Sequence, residues 1–290
     1  MAMDVTTGRK RRGGATLLGN RTFALAAGLL ALLVLAILLA PLIAGFDPAR
    51  IMPRQRLLPP DALHWFGTDV FGRDVFSRVL YGGRLSLLIG LTVAAIAGIL
   101  GTLIGLLCGA SRLLDAIAMR VMDGVMALPG ILVAIAVVSL VGADVLSIAA
   151  AIAFPEIPRV ARLVRSVILT VREETYVRAA EGLGIPAPLV LLRHILPSCI
   201  APLVVQVTFV FATAILTEAV LGFLGVGFPP DMPTWGNVLA EGRSVFERAP
   251  WTVLFPGLFL ALTVLAVNVL GDAVRDRLDP RLSRSAKAAG

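Results

Sequence analysis

Five long uncharged or nearly uncharged runs dominate this chain and limit it to very few folds. Phe23–Ala44 runs for 22 residues without a charge, Leu85–Ala110 for 26 and Gly124–Ala143 for 20. Ile200–Phe228 is interrupted only by Gln206 and Glu218, and Trp251–Gly271 only by Asn268. A bilayer core about 30 Å thick is crossed by roughly 20 apolar residues of helix, so each run is a candidate span. A sixth begins near Val145 and carries Pro155, Glu156 and Pro158 within it. The expectation is an all-α polytopic membrane protein with six transmembrane helices. Charged residues make up only 16% of the chain, against about 25% in soluble domains.

The basic residues orient the spans. With the N-terminus inside, eighteen of the 26 Lys and Arg fall on the cytoplasmic side, the excess that the positive-inside rule describes. Both termini are then cytoplasmic, and Trp65, Trp235 and Trp251 fall on the outer side, where an interfacial belt would lie. The organisation expected is a basic tail over 1–22, a first span over 23–45 and an extracytoplasmic loop over 46–83. A core domain with five further spans follows over 84–274, and a second basic tail over 275–290. The first apolar run exceeds the roughly 7–15 residues of a signal peptide's apolar region and lacks a clean A-x-A site, so it reads as an uncleaved anchor. The net charge of +7 is spread between apolar blocks, so the partner it implies is the lipid bilayer and not nucleic acid. Cys108 and Cys199 are far apart and have neither disulfide nor metal-ligand spacing, and no metal site is expected.

Within the spans, Gly101, Gly105 and Gly109 share one helix face and let another helix approach closely, in this chain or in a second subunit. Glu218 is costly inside a membrane. It reads either as part of a polar pathway or gate, together with Gln206, or as a wet or hydrogen-bonded group near the outer interface. Asp123 is expected to pair with an Arg or face cytoplasmic water, and Asn268 and Asp272 read as structural. The loop residues 64–78 suit an ordered outer cap, and 229–243 a turn-rich approach to a short helix.

One segment between spans is too polar and too broken to cross. Residues 176–183 read as a short helix, Gly184 supplies the positive φ that ends it, and Pro186 and Pro188 suit the first turn of a second helix. Leu189, Leu192 and Leu196 would then form a stripe against the membrane domain, with Pro197 just before the fifth span. The residues themselves leave two readings open: an amphipathic loop on the inner leaflet, or a rigid knob that another protein grips.

This segment resembles the coupling loop, or EAA loop, of bacterial ABC importer permeases. The matching residues are Ala179, Ala180, Gly184 and Ile195-Leu196-Pro197, with Glu181, Arg193 and His194 beside them. Further stretches are similar to the peptide-importer branch: Phe66 to Arg78, Ala161 to Arg165, Arg193 to Pro197, Glu218 to Gly227 and Asn268 to Pro280. The order is unbroken from about Pro41 to Arg281, as in the C-type permease subunit of dipeptide/oligopeptide importers, whose relatives also carry nickel complexes, glutathione or opines. The pattern's first Glu is Arg178 here.

The resemblance implies an ABC importer type I permease fold and pairing with a second, B-type permease. It also implies two cytoplasmic ATPase subunits that bind ATP and Mg and hold the loop at about 176–197, and an extracytoplasmic substrate-binding protein. The chain has no G-x-x-x-x-G-K-[ST] phosphate loop, so no cofactor is expected on it. It has no H-E-x-x-H or G-x-S-x-G, and its two histidines, His64 and His194, fall on opposite sides, so no catalytic residue is assigned. A membrane enzyme or a self-sufficient secondary carrier are the alternatives, the latter without the inverted Gly/Pro-broken spans it would carry.

Overall fold

The computed structural model describes residues 15–278, and the tail segments 1–14 and 279–290 lie outside the described residues. Among the described residues the architecture is helical, with one isolated antiparallel bridge between Thr68 and Asp74. The helices are α1 (Ala15–Leu38), α2 (Ala40–Ile43), α3 (Val75–Ala110), α4 (Arg112–Met126), α5 (Gly130–Val141), α6 (Val145–Arg172), α7 (Thr175–Gly182), α8 (Ala187–Val190), α9 (Leu196–Phe223), α10 (Trp235–Arg243) and α11 (Trp251–Leu278). Three continuous runs are long and apolar enough to cross a membrane: Val75–Ala110, Ala187–Phe223 and Trp251–Arg275. The pair α4 and α5 is long and apolar enough only when taken together, and it is bent by 84° at its break, the form of a broken span or a re-entrant loop.

Two expectations about the spans need correction. The run read as straight through Gly124–Ala143 is broken at Ala127, Leu128 and Pro129. Pro129 has no N–H to bond back into α4, and a proline disfavours helical backbone at the residue before it, here Leu128. Its apolar side chain conceals this in a hydropathy reading. The segment expected from near Val145 is helix α6, which runs unbroken through Pro155 and Pro158. The Pro155 ring packs beside Gly130, where a Cβ would lie 3.1 Å from it. Finally, the loop read as extending to Gly83 ends at Asp74. The Asp74 carboxylate caps α3 by accepting the Ser77 N–H at 2.7 Å. The charges that make residues 75–84 look like loop are bound: Arg78 to Glu241, and Arg84 to the Ile37 and Leu38 carbonyls at 3.0 and 2.7 Å. Arg84 thereby satisfies the end of α1, whose last carbonyls have no intrahelical partner.

The glycine stripe meets α6 of the same chain. A Cβ on Gly101 would lie 2.5 Å from the Val160 Cβ, on Gly105 2.7 Å from the Val164 Cβ, and on Gly109 2.6 Å from the Ile168 Cγ2. Each step of four on α3 is matched by a step of four on α6, so the two helices run parallel in contact. In a bilayer, where lipid is as apolar as leucine, this close approach is a main source of helix association. By the same criterion α9 runs antiparallel to α3, with Gly90 against Ile215 and Gly98 against Val207, and α11 meets α9 where Gly271 lies against Thr208.

The opposite end of the bundle from α7 and α8 is closed by an ordered cap. His64 Nδ1 lies 2.9 Å from Asp74, Arg73 Nε–H donates to Asp69 at 2.7 Å, and Arg73 and Arg78 converge on Glu241 of α10. Burial pushes the Glu241 carboxyl above its ordinary range, against the pull of Arg78 and Arg73. The tryptophan belt does not hold for all three residues. Trp65 is exposed, but Trp235 is fully buried and its indole N–H donates to the Val79 carbonyl at 3.0 Å. Gly82, Gly83 and Gly222 leave the slot that admits the start of α10.

Candidate functional site

The segment from α7 to α9 forms an elbow at one end of the bundle. In α7, Val177 and Ala180 are buried, while Ala179 and Glu181 face outward. The helix closes through three backbone bonds: Leu183 N–H to Ala179 O at 3.0 Å, Gly184 N–H to Glu181 O at 2.9 Å and Ile185 N–H to Ala180 O at 3.3 Å. Gly184 turns the chain at φ +78°, in the left-handed region that glycine enters freely. Pro186 then precedes α8, with Pro188 in its first turn.

Beyond α8 the chain departs from the expected regular helix. Leu191–Ile195 is a π turn, with the Leu196 N–H bonding the Leu191 carbonyl five residues back, and it joins α8 to α9 in one helical run. The wide turn rotates the buried face. Val190, Ile195 and Cys199 point inward, spaced by five and then four. Leu189 and Leu192 of the expected stripe are exposed and Leu196 is half-buried. The elbow therefore shows its apolar side chains outward, and Leu183, at 83% exposure, shows most.

Leu183, Gly184, Ile185, Pro186, Leu189, Arg193 and His194 line an open hollow of about 470 Å³ there. The Tyr176 O–H donates to the His194 carbonyl at 3.4 Å and ties the two arms together. Glu181 lies 3.7 Å from Arg172 of α6, and Arg178 pairs with Glu173. Exposed pairs of this kind contribute about 0–1 kcal/mol, so they orient the elbow more than they stabilise it. At the same end Asp123 pairs with Arg162 at 2.5 Å, and Asp115 with Arg165.

Glu218 is far from the elbow and only 1% exposed. Its Oε2 accepts the Ser86 O–H at 2.8 Å, and the Ser86 Oγ accepts the Trp235 N–H at 3.3 Å. It thus joins α3, α9 and α10 through one oxygen, while Oε1 meets no donor among the described residues. Glu218→Leu should lower stability in detergent by about 1–3 kcal/mol by stranding buried donors, whereas Glu218→Gln, which still accepts from Ser86, should lose less. Melting temperatures of the two variants check this; equal losses would contradict the hydrogen-bond role. Gln206, half-buried on α9, shares a helix face with Thr213 and Thr217.

Residues 101–284, from mid-α3 through the elbow to beyond α11, match the family described as the binding-protein-dependent transport system inner membrane component. The chain belongs to this family. It is therefore the multi-pass inner-membrane permease of a binding-protein-dependent ABC importer, with ATP hydrolysis the work of separate subunits. Among similar proteins is the dipeptide transport system permease of Alkalihalophilus pseudofirmus. It is 44% identical over 250 residues, which cover 86% of this permease and 82% of that one. The glutathione transport system permease of Pectobacterium atrosepticum is 42% identical over 262 residues, covering 89% and 87%. A solved chain of the MetNI methionine ABC transporter, inward facing, superposes with a TM-score of 0.57 at 16% identity, covering 69% of this permease and 96% of that chain. At that identity the likeness carries the fold, which is that of an ABC importer permease.

Proposed function

We propose that this permease is the C-type subunit of an importer for di- or oligopeptides or related small solutes. It pairs with a B-type permease and is driven through the elbow at about 176–197 by two ATPase subunits that bind ATP and Mg. A substrate-binding protein delivers cargo at the capped end, over 64–78 and α10. The observation that carries this reading is the elbow itself: a braced turn with Leu183, Leu189 and Leu192 directed away from the chain's own core. An apolar surface on a rigid mount is what a partner needs to pull on, and a rocking transport cycle requires contacts that differ between its states. Relatives named for dipeptide and glutathione transport support the cargo class.

Six crossings with both ends cytoplasmic fit the parallel course of α3 and α6 and the antiparallel course of α9 against α3. The domain limits proposed are a tail over 1–22, a first span over 23–45, an outer loop ending at Asp74, the core domain to 274 and a tail over 275–290. Purifying the tagged chain in mild detergent tests the assembly: ATPase chains and a second permease should co-elute. A lone chain that moves solute in proteoliposomes without ATP would instead make it a secondary carrier.

A further inference from the structure

Half-way along the bundle, where α4 and α5 part at their 84° bend, the helices leave a hollow of about 260 Å³. Its chemistry does not belong to lipid. Glu156 and Arg159 of α6 line it together with Thr213 and Thr217 of α9, and Leu128 and Gly130 at the bend close one side. Arg159 Nη1–H donates to Glu156 Oε1 at 2.7 Å, one turn apart on the same helix. Glu156 is only 8% exposed, yet its second oxygen, Oε2, meets no donor among the described residues. Arg159 is about half exposed and commits one N–H to that bond, so most of its guanidinium donors remain available.

A buried carboxylate oxygen without a donor is costly, and charged groups at membrane depth turn toward one another or toward water-filled paths. Here each member of the pair keeps one side unused, and the two unused sides are opposite in charge. That is the complement of a solute carrying both an ammonium and a carboxylate. Gln206 lies on the same face of α9 as Thr213 and Thr217, so the polar row continues from the hollow toward the elbow end. The hollow falls just below the roughly 300–1,000 Å³ of ordinary ligand pockets, enough for the charged end of a small peptide rather than a long one.

We infer that the Glu156–Arg159 pair is a transit station for zwitterionic cargo, Glu156 receiving the ammonium and Arg159 the carboxylate of a short peptide. This deepens the transport reading above and rests on it. The station is a weak, passing contact, since a strong site would hold cargo and slow its release.

The test uses the complete importer complex with Leu128→Cys as a reporter at the rim of the hollow, Leu128 being 58% exposed. The native Cys108 and Cys199 are buried and shielded from reagent. The rate of labelling by a water-soluble maleimide is measured with millimolar dialanine, with N-acetyl-dialanine and with dialanine amide. Dialanine should slow labelling, and each capped peptide should protect about tenfold less well, a difference of about 1.4 kcal/mol. Arg159→Gln should abolish the advantage of dialanine over its amide, and Arg159→Lys should restore part of it. Glu156→Gln should abolish the advantage over the N-acetyl form. Equal protection by all three peptides, or none, overturns the station. Uptake of labelled dialanine by the same complex, with its binding protein and ATP, is scored separately. Uptake without protection refutes the station and leaves the transport reading standing. Absence of uptake for every peptide refutes the cargo class.

Discussion

Replacing Gly184 by Trp should leave the permease folded and in its complex while uncoupling ATP hydrolysis from uptake. The reason lies in what surrounds that glycine. Its φ is +78°, but a Cβ placed on it would meet nothing within 4 Å of its own chain. Any non-glycine residue there incurs the left-handed backbone penalty of about 1–2 kcal/mol, and Ala and Trp incur it alike. Only Trp adds bulk, and that bulk projects from the elbow beside exposed Leu183, where a partner would sit. Gly184→Ala is therefore the control, and it should keep most coupled transport. Binding-protein-stimulated ATPase activity and uptake in proteoliposomes check both variants. If Trp and Ala behave alike, the elbow's outer surface is not where force is transmitted.

The second large effect is on stability. Gly105→Leu should prevent α3 and α6 from closing. A Cβ at Gly105 would lie 2.7 Å from the Val164 Cβ and 2.9 Å from the Ala161 carbonyl oxygen, and a backbone atom cannot step aside as a flexible side chain can. Ordinary overpacking costs about 1–3 kcal/mol, and this contact should reach or exceed the top of that range. For a protein of this size that corresponds to a fall in Tm of roughly 5 °C or more, with poor recovery from the membrane. Gly124→Leu, where a Cβ would meet nothing within 4 Å, should be close to neutral. A Gly105→Leu protein with wild-type Tm would mean that the two helices are not in close contact.

These two glycines show how much the sequence discloses. Gly184 is legible because a glycine between a short helix and Pro186 has one obvious use, and its backbone adopts it. The 101, 105 and 109 stripe discloses its own face but not its partner, because the complementary face on α6 is made of Val160, Val164 and Ile168, which look like any buried residues. Proline misleads in both directions. Pro129 is hidden in an apolar run that breaks beside it, while Pro155 and Pro158 weaken the pattern of a span that α6 nonetheless carries through.

The phase of the elbow is illegible for a related reason. A π turn shifts the helix face by one residue, so Leu189 and Leu192, expected to point inward, point out. The residues left on the surface are the ones a partner would use, so a regular-helix reading conceals the most informative feature of the site. The Glu156–Arg159 pair does carry a usable signal in the sequence. Two opposite charges three residues apart inside an apolar segment are costly unless they meet, and that alone marks a place where the segment does not face lipid.

The central claim is that the α7–α8 elbow is the surface on which the ATPases pull. Cross-linking from Leu183→Cys in the assembled importer, before and after addition of ATP and Mg, measures this most directly. A high-yield link to an ATPase chain whose efficiency changes with nucleotide is the predicted result. A residue-183 thiol that stays open to a water-soluble reagent through turnover, and links to no neighbour, would contradict the account.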